Sequence, residues 1–157
     1  MKLYKPPEQI PGNITSRSLF LGGSIEMGTA EQWQKHVEQL MSGTNWTLFN
    51  PRRDDWDSTW VQSMDNPQFR EQVEWELSAL EKATQVLMYF APGSYSPISL
   101  LELGLFGKSN KKMIVVCPEG FWRKGNVEIV CHRYGISQAE TLEEAVSIIL
   151  KKNNSSK

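Results

Sequence analysis

Glu76 and Glu102 are the residues of this chain best placed to do chemistry, because each sits in a helical run whose neighbours are apolar. Glu102 lies inside "SPISLLELGLFG" (96–107), directly after the turn-forming "APGSYSP". Ile98 stands four residues before it and Phe106 four after, with Leu101, Leu103 and Leu105 alongside. Glu76 lies in "PQFREQVEWELSALEKA" (67–83). At about 100° per residue, Phe69, Val73, Leu77, Leu80 and Ala83 form one stripe there, and Glu76 falls within it. Glu71, Glu74 and Glu81 lie off the stripe and read as solvated. An unpaired buried carboxylate is costly, so it finds a partner or changes protonation state. Two such acids on successive helices, facing a sheet near its ligand-binding edge, suit an acid/base or nucleophile pair. The plainer alternative is that each accepts bonds from a neighbouring loop or pairs with Arg52 or Arg53.

The elements that must position these acids follow from periodicity. Residues 1–16 hold three prolines and no apolar repeat, and read as an extended lead-in. "SLFLGG" (18–23), "WTLFNP" (46–51), "TQVLMYFAP" (84–92), "KMIVVCP" (112–118) and a weak "GISQA" (135–139) read as strands. Helices are expected over "TAEQWQKHVEQLMSG" (29–43, capped by Thr29), over 67–83, around Glu102 and over "TLEEAVSIILKK" (141–152). "GFWRKGNVEIVCHRYG" (120–135) is left without an assigned element. Strands apolar on both faces, alternating with helices, predict an α/β fold. The expectation is a single-domain flavodoxin-like or Rossmann-like three-layer sandwich with a five-stranded, mainly parallel sheet, spanning 17–152. The tail 153–157 is expected to be disordered.

Such sheets bind ligands beyond the carboxyl ends of their strands. That selects "GGSIE", "NPRRDDW", "APGSYSP" and "CPEGFW" as the rim. Gly22, Gly23 and Ser24 could let backbone approach a ligand, or could form a plain tight turn. Asn50, Arg52 and Asp54 could meet a sugar or base with Trp56 stacking, and Arg52 with Arg53 would suit a phosphate. A solvated charged loop is the rival reading. His36 and His132 are isolated and read as surface or packing residues.

Composition narrows the classes. A chain of 157 residues fits one domain, and its net charge of −1 with pI near 6.1 carries no basic stripe for nucleic acid. Cys117 and Cys131 read as reduced core thiols rather than a disulfide or metal site. No apolar run reaches the roughly 18 residues of a membrane span, and the chain is expected to be cytoplasmic, without metal or cofactor.

With these residues in view, the chain resembles the nucleoside 2-deoxyribosyltransferase family and its nucleotide N-glycosidase relatives. The likeness rests on "FLGGSIE", "FNPRRDDW", "EWELSALEKATQVLMYF", "SPISLLELG" and "RKGNVEIV", over most of 18–130. It implies that Glu102 is the nucleophile and Glu76 the acid near the base. Asn126 matches an asparagine lent to a neighbouring subunit's sugar site, which implies a homodimer or higher homo-oligomer. Ser96 stands where many members carry an aspartate that meets substrate, and Phe20 where many carry a tyrosine.

The implied activity is exchange of the base of 2′-deoxynucleosides for a free nucleobase through a covalent deoxyribosyl–glutamate intermediate. An N-glycosidase acting on a nucleoside 5′-monophosphate, and a nucleotide-binding module without catalysis, are the alternatives. The nucleophile is expected to have an ordinary pKa and to be shielded from water by Ile98, Leu101 and Phe106.

Overall fold

The computed structural model describes residues 1–25 and 32–151. Its centre is one parallel sheet of six strands: β1 (Lys2–Tyr4), β2 (Ser18–Gly23), β3 (Thr47–Phe49), β4 (Gln85–Tyr89), β5 (Lys112–Val116) and β6 (Ser137–Ala139). They lie in the order β1-β3-β2-β4-β5-β6. Every residue of β2, β3 and β4 is buried, as a sheet covered on both faces requires.

Side chains alternate between the two faces. Leu19, Leu21, Leu87, Ile114 and Val116 meet α1 (Trp33–Leu40) and α5 (Leu142–Lys151) through Trp33, Val37, Ala145 and Ile149. Phe20, Phe49, Val86, Met88 and Val115 meet the other layer, made of α2 (Pro67–Lys82), α3 (Pro97–Gly107) and α4 (Lys124–Tyr134). The expected three-layer sandwich is therefore present. Among the described residues no helix is long and apolar enough to cross a membrane.

Four expectations are corrected. The lead-in contributes a sixth strand: β1 pairs with β3 in the register Lys2–Thr47 to Tyr4–Phe49, and the following residues strap α2. Trp75 Nε1 donates to the Glu8 carbonyl at 2.8 Å, and Ile10 and Ile14 pack against the α2 layer. A three-residue edge strand has too short a period to announce itself. Second, the unassigned segment at 120–135 carries α4, which ends at Gly135 with φ 65°, a left-handed cap suited to glycine.

Third, the buried stripe of α2 is rotated from the predicted one. Gln72, Trp75, Ala79 and Leu80 are its buried residues, while Phe69, Val73 and Leu77 are only half-buried. Glu76 is likewise half-buried, one turn after Gln72, whose side chain it accepts a bond from. Fourth, Ile98, Leu101 and Leu105 are exposed, and α3 buries Ser99, Glu102, Leu103 and Gly107 instead. A helix apolar all round gives no indication of which side turns inward. The expected cap Thr29 lies outside the described residues; α2 is capped by Asn66, whose side chain accepts from the Gln68 and Phe69 N–H groups.

Candidate active site

The chain crosses from β2 to β3 on one side and then returns to β4 on the other side of β2. That reversal opens a crevice beyond the carboxyl ends of β2 and β4, the usual ligand position in doubly wound sheets. Glycine carries β2 to this edge for a backbone reason. At Gly23, φ is 138°, and a Cβ there would lie 2.2 Å from the Tyr89 carbonyl oxygen. The "GG" pair thus permits close packing of β2 on β4; Gly22 lies beneath it against Phe20 and Met88.

The next residue begins a cluster of three buried hydroxyls. Ser24 Oγ lies 2.7 Å from Ser94 Oγ and 2.5 Å from Ser96 Oγ, and the last two are 2.9 Å apart. Ser24 Oγ also accepts from the Ala91 N–H at 2.9 Å. Ser96 precedes Pro97, which opens α3, and holds a left-handed φ of 47°, unusual for a residue with a side chain. Its hydroxyl joins the cluster and makes no capping bond to α3. Ser96, where the resemblance implied a departure from an aspartate, is therefore a neutral, inward-turned serine.

The two candidate acids lie on the flanking helices, Glu102 on α3 and Glu76 on α2. Glu102 is 8% exposed. Burial pushes its carboxyl up to about 8, and the nearby Glu76 carboxylate adds to the rise. Burial likewise pushes Glu76 up to about 7, against the opposing effect of a hydrogen bond from Gln72. No cation enters either balance. An ordinary pKa for the nucleophile is thus corrected: near neutral pH the two acids hold one to two protons between them. Coupled acids titrate as a pair. The expected water shield is corrected too, since Ile98 and Leu101 point outward and Phe106 is half-buried.

The loop after β3 is organised differently. Asn50 Nδ2 donates to Glu38 at 2.7 Å, and its Oδ1 accepts from the Arg52 N–H at 2.9 Å. Its side chain clasps α1 and the loop. Arg53 is bound to Asp55 and Glu71 at 2.8 and 2.9 Å and lies 5.0 Å over the Trp60 ring. Trp56 packs against Trp60 and Phe69 rather than standing free. Asp54 is a surface ion pair with Lys5. Only Arg52 keeps an unsatisfied group here, a buried Nη1 without a partner. Asn126 is exposed on α4.

The structure thus brings Glu76 and Glu102 together, and Ser24 and Ser96 together beside Ser94. It does not bring Asp54 or Asn126 into that group within one chain. Two contributors escaped the sequence reading: Ser94, whose hydroxyl reads as turn chemistry, and Gln72, whose amide reads as surface. The only signal for Gln72 was its spacing, four residues before Glu76.

A doubly wound parallel sheet, with two carboxylic acids in Coulombic range on the helices before and after β4, makes this an α/β protein with a candidate two-carboxylate centre. The model of the family described as nucleoside 2-deoxyribosyltransferase like matches residues 16–121, and the chain belongs to that family. The match includes both acids and all three serines but stops before Asn126. No curated protein matches the chain.

Proposed function

We propose that the protein exchanges the base of 2′-deoxynucleosides, with Glu102 as nucleophile and Glu76 as acid and base. The observation that supports this reading is the pair itself, two acids on successive helices in Coulombic range with no cation neutralising either. The Glu102 carboxylate attacks the anomeric carbon, the glycosidic C–N bond breaks, and the departing nitrogen takes the proton held by Glu76. A second base then attacks the deoxyribosyl ester, returns its proton to Glu76 and releases Glu102.

The productive form, Glu102 ionised and Glu76 protonated, is the less populated tautomer of the singly protonated pair, since Glu102 holds its proton up to about 8 and Glu76 up to about 7. Turnover is therefore expected to peak between about 7 and 8, where the pair passes through its two steps.

The test is chromatographic: protein with deoxyinosine or thymidine, with and without adenine. New deoxyadenosine supports transfer. Free base released equally without adenine points to hydrolysis, and no product in either case favours a binding module. The unsatisfied Arg52 Nη1 favours hydrolysis of a nucleoside 5′-monophosphate as the second reading. Arg53, committed to two acids, would not share that task.

The same reading extends to assembly. Ile98, Leu101 and Leu105 on α3 and Ile129 on α4 are exposed apolar side chains on adjoining helices, with Asn126 three residues before Ile129. A second copy covering this face would bring Asn126 toward a neighbour's site. Sedimentation of wild type against Leu101→Glu tests it: loss of a dimer in the variant supports the interface, and a monomeric wild type removes it.

A further inference from the structure

Gln72 is a buried amide, 5% exposed, on the sheet-facing side of α2. Its Nε2 donates to the Pro51 carbonyl at 2.9 Å and to Glu76 Oε1 at 2.7 Å. Both amide hydrogens are therefore used. Its Oε1 has no partner, although a buried acceptor left unpaired costs on the order of 1–3 kcal/mol. Rotating the amide would not repair this, because it would set two oxygens against each other at Pro51. The carbonyl can only accept, so the amino group must face it, and that fixes the orientation of the whole side chain.

Pro51 is itself held. It follows Asn50, whose side chain is bound at both ends, to Glu38 on α1 and to the Arg52 N–H. A line of hydrogen bonds thus runs from α1 through the end of β3 to Gln72 and ends on Glu76.

We propose that Gln72 is a positioning residue for Glu76: by occupying Oε1 it confines the transferable proton to Oε2 and anchors that acid to the loop after β3. This rests on the acid/base role given to Glu76 above. An oxygen that accepts an N–H bond cannot present a proton along the same direction. With Oε1 facing Gln72, the donor oxygen is Oε2. Gln72 also favours the ionised carboxylate and so opposes the rise that burial produces. The charged groups nearby are few. Glu102 acts on Glu76 from α3, and neither arginine of the β3–α2 loop enters the Glu76 balance: Arg53 is paired with Asp55 and Glu71, and Arg52, whose buried Nη1 has no partner, contributes nothing to it. Adjusting this acid therefore falls to a neutral amide. The unpaired Gln72 Oε1 is the cost of that arrangement.

The test has a readout that needs no turnover. Carboxyl carbon NMR titration of Glu76, in wild type and in Gln72→Leu, should show a higher midpoint in the variant. Kinetics should show kcat reduced on the order of tenfold with KM within about twofold, and the alkaline limb moved to higher pH. Gln72→Asn, too short to span both acceptors, should behave the same way. If neither variant folds, the wild-type Gln72 side-chain amide resonances should titrate with the Glu76 midpoint.

An unchanged Glu76 midpoint in a folded variant overturns the proposal, as do wild-type amide resonances that ignore it. A shifted midpoint with an unchanged pH–rate profile overturns it as well. A protein with coupled Gln72 and Glu76 but no N-glycosidic activity would keep the contact, overturn the positioning role and sink the functional reading separately.

Discussion

Glu71 and Glu76 sit on the same helix, five residues apart, and the structure treats them in opposite ways. Glu71 turns to solvent and shares Arg53 with Asp55, whose carboxyl the guanidinium holds below its ordinary range. Glu76 turns inward, meets an amide and another acid, and is pushed upward. The first arrangement is structural, because both carboxylates share one guanidinium. The second cannot be justified by stability, since burying carboxylates without cations opposes folding. Chemistry is the reason to keep it, and the two regions predict different outcomes for similar substitutions.

The largest effect is expected from Glu102→Gln, which keeps the shape and removes the nucleophile. Base exchange should fall on the order of 10³-fold or more, measured by product chromatography. Glu76→Gln should lower kcat on the order of 10²-fold and flatten the pH dependence it controls. Residual activity near wild type in either variant would break the contrast between the two regions.

Stability should move the other way. Glu102 has a folded pKa raised from 4.5 to about 8, so the folded state holds a proton that the unfolded chain releases. Its contribution is fully present below about 4.5 and is lost as pH rises through about 8. Above pH 8 the wild type folds with a desolvated charge, and Glu102→Gln removes that charge. The variant should then be more stable by on the order of a few kcal/mol, seen as a rise of several degrees in Tm that vanishes near pH 4. Stability bought with lost activity is common at functional sites. The smallest effect belongs to the other region: Asp55→Asn, at the exposed end of an ion pair whose Arg53 keeps Glu71, should leave Tm and turnover unchanged.

The central strands and the inward direction of both acids were legible in the sequence, for physical reasons. A strand buried on both faces must be mainly apolar, as β2 and β4 are after their first residues, Ser18 and Gln85. A carboxylate among apolar neighbours stands out whatever its exact face. What was hidden depended on information that lies elsewhere in the chain. β1 acquires its identity only by pairing with β3, some 45 residues later. α4 buries just Val127 and Cys131, with Ile129 exposed between them, so it shows little contrast between faces.

The loop after β3 looked like a ligand loop because its charges carried no visible partners. Arg53's partner Glu71 comes 18 residues later, and Asn50's partner Glu38 comes 12 earlier. The neighbour that acts on Glu76 was hidden for the same reason, since Gln72 is defined by Pro51 as much as by its own helix.

The most direct measurement is the intact mass of the protein after incubation with a 2′-deoxynucleoside and no acceptor base, followed by peptide mapping. A deoxyribosyl ester on the peptide carrying Glu102, absent from Glu102→Gln and discharged when adenine is added, is the predicted result. Base exchange without any adduct, or an adduct mapped to another residue, would contradict the assignment of Glu102 as the nucleophile.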